Sequence, residues 1–514
     1  MPEGNGPAPD HKNLPGRLFG FLAVTLALIL LTPSSFWAAE PLRQVSTVVH
    51  VHSTWSSGEL TLDELIGRAR ATGVEAIFLT ENHLLRFEYG LPPLRNLLRY
   101  RVDFPSLLSR GPAAFLQAVQ EANGRQKDVL LIPGAQVIPH YYWTGSLLRR
   151  TLILHNTQKD ILALGLYRPE DYQGLPAVAN RGAARWGVAS LWLLFPAFLV
   201  VPGAWLLRAR RRRVIRLQHF EVVVDRRFTG YGIACLTIAA LFLADGFPFR
   251  IPPVSLYDSN AGLQPHQAVI DFVGARGGVA VWSLPEARDH QVVSVAGMQA
   301  TINTDPYPSD LLRTDRFAAF GGIYEDTTQF TEPGGRWDRL LADYLAGRRA
   351  APAWAIGEAA YHAEGQAGKR FGTVQTVLLV DRKDPRALME ALRTGRFYAL
   401  QRTPEAALVL NQFQALGPQH PPAEAGDRIA LRAGDRPEIR AAIHASDGRP
   451  IAIEARLIRN GIVVQTIRGE TPFALDWKEP ALPADFSLFY RLDAHGSSGH
   501  RILSNPIFVR SERG

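Results

Sequence analysis

Two apolar stretches on either side of an arginine-rich segment set the strongest limit on what this chain can fold into. Residues 186–207 run for 22 positions without a charged side chain, and residues 230–249 carry a single acid, Asp245. At roughly 1.5 Å of rise per residue, stretches of this length match a bilayer core of about 30 Å. Pro196 and Pro202 would break a soluble helix, but a membrane helix tolerates them because its neighbours satisfy the freed carbonyls. Between the two stretches, residues 208–229 hold eight arginines (208, 210–213, 216, 226 and 227) against Glu221 and Asp225. That segment carries most of the net charge of +8. The rest of the chain is nearly neutral, so no nucleic-acid face is expected.

A third apolar stretch, residues 18–37, follows an N-terminal tail (1–17) that contains His11, Lys12 and Arg17. Cleavage after Ala38 or Ala39 would leave Phe36 or Trp37 where a signal peptide needs a small residue, so an uncleaved anchor is expected. Basic segments stay on the cytoplasmic side. The tail and the 208–229 loop are then cytoplasmic, and residues 40–185 and 250–514 share the opposite, periplasmic or extracellular, side. The expectation is an integral membrane protein in which a helical hairpin interrupts soluble protein without separating its halves. The arginines would touch anionic lipid head groups. Three spans without a polar pathway exclude a transporter. The lone cysteine, Cys235, excludes a disulfide framework and any multi-cysteine zinc site.

In the soluble parts, short β-branched or apolar runs alternate with helical patterns. Strands are expected at 45–53, 76–80, 129–133, 151–155, 161–166, 279–283, 298–302, 353–357 and 374–381. Helices are expected from a Thr61/Glu64 capping box to about Thr72, and at 112–123, 265–275, 336–347 and 385–394. Such alternation predicts an α/β fold with a parallel sheet, closed or nearly closed into a barrel, over residues 40–185 and 250–404. From residue 405 to 514 the pattern changes to short alternating strands with turns such as Asp447-Gly448 and Asn460-Gly461, which predicts an all-β sandwich.

The feature closest to chemistry is His50-x-His52 at the end of the first strand. Alternate strand residues point the same way, so both imidazoles can reach one cation. The sequence around them, HVHSTWSSGELTLDELIGRARATGVEAIFLTENH (50–83), resembles the opening of the polymerase-and-histidinol-phosphatase (PHP) metallohydrolase superfamily. The likeness continues through IPGAQV (132–137), ILALGL (161–166), GGVAVWSLPEA (277–287), GEAAYH (357–362) and TVLLVDRKDPRALMEALRTGRFYAL (376–400).

The resemblance implies a distorted (β/α)7 barrel holding up to three divalent metal ions at the carboxyl ends of its strands, where a hydroxide attacks a phosphoester. Carried over residue by residue, it implies His50, His52 and His362 as metal ligands. Glu81 stands where the family has Asp, Gln136 where it has a bridging Glu, and Asp160 where it has His. Asn82 stands at a further His position, with His83 adjacent. Leu284 and Ala360 stand where the family has His and Asp. His83, His140, Glu286 and Glu358 are substitute donors. Fewer anionic ligands imply a reduced site: one Zn, Mn or Fe ion in place of three, or none. The tract YYWTGS (141–146) either lines a pocket or packs internally. Two readings follow. One is a membrane-anchored metal-dependent hydrolase acting on a small-molecule or phosphoester substrate. The other is an inactive barrel that binds a ligand or partner.

Overall fold

The computed structural model describes residues 42–512 apart from 148, 218–219, 296–297, 325–327 and 419. The expected tail and first anchor (1–37) lie outside the described residues. The fold is mixed α/β. It is built on β1 (Arg43–Val51), β2 (Ala76–Leu79), β3 (Glu81–Asn82), β4 (Leu130–Ile132), β5 (Gly134–Val137), β6 (Ile161–Leu164), β7 (Val279–Trp282), β8 (Ala319–Ile323) and β9 (Trp354–Tyr361). Most of these strands are buried along their whole length, as continuous apolar runs between helices must be. The first connecting helix, α1 (Leu62–Thr72), opens on the expected capping box. Thr61 Oγ1 accepts from Glu64 N at 3.3 Å, and Glu64 Oε2 accepts from Thr61 N at 2.8 Å. Gly73, at φ +72°, closes the helix in the left-handed conformation that favours glycine.

β1 runs parallel to β2 on one side and to β9 on the other. The pairing continues from β2 to β4 and from β3 to β5, in parallel. β6 is antiparallel to both β5 and β7, and parallel pairing resumes through β8 to β9. The ladder therefore returns to the strand it starts from. The sequence pattern predicts parallel strands throughout. β6 differs: residues 138–160, between it and β5, hold no crossover helix but a hairpin, Tyr142–Thr144 against Leu152–His155, and the chain comes back reversed. The reversal matters for the site, since it places the start of β6 beside the ends of its neighbours.

The 186–250 segment projects from this body. Two of its helical stretches, Ser190–Arg208 and Thr229–Gly246, are long and apolar enough to cross a membrane by length and composition. The first holds a 3₁₀ stretch, Phe195–Leu199, around Pro196. Close packing of the pair rests on glycine, because a Cβ at Gly232 would stand 2.8 Å from the carbonyl oxygen of Gly203. The arginine-rich segment, expected as a loop, is a two-stranded ribbon, Arg210–Leu217 against Phe220–Arg227. The exposed pairs Arg212–Asp225 and Arg216–Glu221 bridge its strands.

Beyond residue 405 the chain is all β. Leu408–Leu416, Ala423–Glu424, Glu438–Ala445 and Phe473–Lys478 form one sheet. The strands facing it join the main ladder, where Phe397–Gln401 pairs with Arg501–Ser504. Arg43–Gly514 is accordingly one compact unit. A buried ion pair ties the all-β region to the helix α2 (Arg336–Leu345). Arg491 donates from Nε and Nη2 to the two oxygens of Asp338, both at 2.7 Å, and its guanidinium lies 4.7 Å from the Trp337 ring. Asp338→Ala would leave that guanidinium buried and unpaired, costing about 3–5 kcal/mol. Urea unfolding should show this loss, and replacing both partners by leucine should recover most of it.

Candidate metal centre

The ladder strands other than β6 point their carboxyl ends to one side, β6 brings its start there, and several of the sequence-predicted residues gather at that end. His50 reaches the cavity by a route that plain alternation does not give. Pairing slips between Val49 and Val51, and His50 takes φ +71°. A bulge with a left-handed residue thus aims this imidazole, at a backbone cost of roughly 1–3 kcal/mol. Leu284 (φ +38°) and Ala360 (φ +45°) are strained in the same way at neighbouring strand ends.

His50 Nδ1 is bonded to Glu358 Oε1 at 2.6 Å, and both side chains are buried. Ser283 Oγ donates to the same oxygen at 2.6 Å, and Leu284 N donates to Oε2 at 3.0 Å. Gly321 makes room for the carboxylate, since a Cβ there would sit 2.0 Å from Glu358 Oε2. His52 Nδ1 faces Ser56 Oγ at 3.1 Å, and its ring stacks on His362 with centroids 4.0 Å apart. The His50 and His52 rings lie 5.3 Å apart. His362 Nδ1 meets Ser57 Oγ at 2.9 Å, and Ser57 Oγ accepts from Asn82 Nδ2. Gln136 Nε2 donates to Asp160 Oδ2 at 2.5 Å, across the antiparallel β5–β6 pair.

Among the described residues, these bonds leave three buried atoms of the site without a protein partner: His50 Nε2, His52 Nε2 and Asp160 Oδ1. Each is a donor type that suits a divalent cation, and His50 carries a carboxylate on its other nitrogen, as metal-bound histidines commonly do. Among the described residues, no three His, Cys, Asp or Glu side chains are set to hold a metal ion as they stand. The electrostatics agree with that state. Burial pushes the Asp160 carboxyl up to about 8, with Glu358 adding to the rise. Burial, then the neighbouring rings of His362 and His50, holds His52 well below the usual histidine range, while Gln136 acts in the other direction. Burial also lowers His362 to about 4. The pocket therefore favours neutral groups until a cation enters.

The remaining predicted donors are engaged elsewhere. Glu81 accepts from Ser53 N, Ser53 Oγ and Ser56 Oγ, which clamps the turn behind His52. His83 Nε2 meets the Tyr172 carbonyl at 2.6 Å, and burial lowers this ring to about 4. His140 Nε2 faces the Ser255 carbonyl at 3.2 Å. Glu286 accepts from the backbone of Gln329 and Phe330. In the 141–146 tract, Tyr141 packs internally with Ile138, Leu154, Val178 and Val254. Sequence reasoning singled out neither the Ser53/Ser56/Ser57 network nor Ser283. The run STWSSG (53–58) was the available signal, because serines clustered after a histidine strand can satisfy buried polar atoms.

No protein-family model matches the chain, and no curated protein sequence does. Among solved structures it is similar to a two-domain protein of Bacteroides vulgatus containing a predicted PHP-like metal-dependent phosphoesterase. That likeness has 9% identity, a TM-score of 0.34, and coverage of 88% of this chain and 90% of that one. It is also similar to a protein of Bifidobacterium adolescentis described as a metal-dependent phosphoesterase. Here identity is 15%, the TM-score 0.27, and coverage 65% and 92%. Likenesses at that level fix neither fold nor chemistry.

Glu81 gives a pH signature. Burial raises its carboxyl from 4.5 to about 7, so between those values the folded state binds more protons than the unfolded chain. In metal-free protein, the stability of the wild type relative to Glu81→Gln should fall as pH rises through that window, and should be level outside it. Denaturant titrations of both proteins at several pH values would measure the difference.

Proposed function

We propose that the chain is a membrane-anchored, metal-dependent phosphoester hydrolase of PHP type with a reduced metal site. In this reading the cyclic ladder is a distorted (β/α)7 barrel and the 405–514 region is its sandwich domain. The apolar helices anchor it with the soluble parts on the non-cytoplasmic side. His50, His52 and Asp160 would hold one Zn, Mn or Fe ion, with Gln136 and His362 at its margin. The observation that carries this is the set of three unpartnered buried atoms, His50 Nε2, His52 Nε2 and Asp160 Oδ1.

A bound divalent cation would supply polarisation of a phosphoryl oxygen and a water of lowered pKa. The chain's own residues do the rest. Glu358 keeps the His50 proton on Nδ1, which leaves Nε2 as a lone-pair donor. Ser283 and the Leu284 amide fix Glu358 in place. Asp160 must lose its proton to ligate, so affinity should rise with pH through about 8. His362, neutral at physiological pH and only partly buried, is placed to accept a proton at the open side.

Leu284 and Ala360 offer no side-chain donor, and this favours a second reading, a barrel that binds without catalysing. Elemental analysis of the full chain in detergent separates the two. About one metal ion per chain is expected, lost in His50→Ala/His52→Ala, with affinity lowered about 10–100-fold in Glu358→Gln. Hydrolysis of bis(p-nitrophenyl) phosphate should follow metal content. Protein that takes up no stoichiometric metal and hydrolyses nothing would leave only the binding reading.

A further inference from the structure

We infer that the site's substrate is a phosphoester carried by a membrane lipid, reached from the bilayer surface across a rim hairpin; this substrate class rests on the hydrolase reading above.

Topology places the mouth of the site and the membrane helices at the same end of the ladder. His50, His52, Gln136 and His362 lie at the carboxyl ends of their strands, and the hairpin Arg86–Gly90/Arg99–Asp103 follows β3 at that end. Both ends of the 186–250 segment emerge there too. Val178 N bonds to the carbonyl of Pro139, just past β5, and Trp143 N bonds to the carbonyl of Leu256. Val178 and Val254 share an apolar cluster with Ile138, Tyr141 and Leu154, against which Leu85 and Phe87 of the rim pack.

The hairpin tip is fastened to the end of a membrane helix. Asn96 N and Leu97 N donate to Asp245 Oδ1 at 2.7 and 2.9 Å, and Asn96 Nδ2 donates to the Asp245 carbonyl at 2.9 Å. Asp245 sits one residue from the end of Thr229–Gly246. This explains an acid in an apolar run: it marks where the helix leaves the hydrocarbon. Exposed Phe247 directly follows the helix, and exposed Trp186 faces Phe249 with ring centroids 6.4 Å apart, where aromatic rings favour the interface.

The tip therefore stands at the depth of the lipid head groups. It presents Leu97 (45% exposed) and Leu98 (51%), with Leu91, Tyr100 and Phe104 also exposed. Arg95 lies within the same loop, where its guanidinium packs over the Tyr257 ring at 3.5 Å with Nη1 buried, and so braces the tip from inside. Leucines exposed at the level where a helix leaves the hydrocarbon suit the acyl boundary of a lipid surface. A phosphoester in that plane is close to the mouth of the site, whereas a freely soluble one gains nothing from the arrangement. The reaction is a hydrolysis. The oxygen of water bonds to phosphorus, the P–O bond to the leaving alcohol breaks, and the water proton passes to that alcohol.

Two measurements on the full chain in phosphatidylcholine/phosphatidylglycerol proteoliposomes test this. In a Cys235→Ser background, a fluorophore on Leu98→Cys should be quenched by shallow doxyl-lipid, while one on Ile462→Cys in the all-β region should not. An unquenched Leu98 label overturns the inference. Turnover is then compared for bis(p-nitrophenyl) phosphate and for a diacylglycerol p-nitrophenyl phosphate in the vesicles. The lipid ester should be preferred. Leu97→Asp/Leu98→Asp should lower its kcat/KM by about tenfold while leaving the soluble ester unchanged. Turnover of the soluble ester with no preference for the lipid one would sink the lipid substrate but keep the hydrolase. Turnover of neither by metal-loaded protein would remove the hydrolase itself, and the lipid substrate with it.

Discussion

The bond between His50 and Glu358 joins the first and last strands of the ladder across 308 residues of sequence. Both groups are buried, and either alone would be a costly orphan. Glu358 also takes the Ser283 hydroxyl and the Leu284 amide from the end of β7, and it fits only because Gly321 on β8 has no side chain. Groups from β1, β7, β8 and β9 thus converge on one carboxylate. A slip of any of these strands by one residue would break the set, so the register of the closed ladder and the readiness of His50 Nε2 are the same physical fact.

Much of this was legible in the sequence because it is local. The capping box of α1, the apolar strands and the turn-rich C-terminal strands all announce themselves within a few residues. So does the convergence of His50 and His52, although the sequence suggested simple alternation where the backbone uses a bulge. What stayed hidden depends on partners distant in sequence. Nothing near Glu358 says that it will meet His50. The clamping of Glu81 by Ser53 and Ser56 needs the β1–β2 register before it can be seen. Nothing local marks His266 as a core residue, yet it is fully buried and stacked on Trp282 with ring centroids 5.2 Å apart. The reversal of β6 goes with the hairpin that stands in place of a crossover helix before it, which a strand-and-helix pattern does not report. In the arginine-rich ribbon, repeated charge concealed the β-branched residues that pair beneath it.

Burial and charge work together in the cavity. Burial favours the neutral forms of His52, His362 and Asp160, so the cavity is stable without a cation. Leu284 and Ala360 lower the number of donors while their backbones keep a strained form. The cavity thereby presents a small, asymmetric set of buried donor atoms.

The segment that holds the two long apolar helices leaves and re-enters the body through a narrow gate. Arg185 and Ile251 exchange both backbone hydrogen bonds, at 3.0 and 2.9 Å, so the excursion begins and ends at essentially one point. An insertion closed in this way behaves as a cassette. Its length can vary, or a tight turn can replace it, without strain reaching β6 or β7. A chain without the segment would then differ from this one by one contiguous exchange, losing the bonds that Asn96 and Leu97 make to Asp245 but keeping the bond between His50 and Glu358.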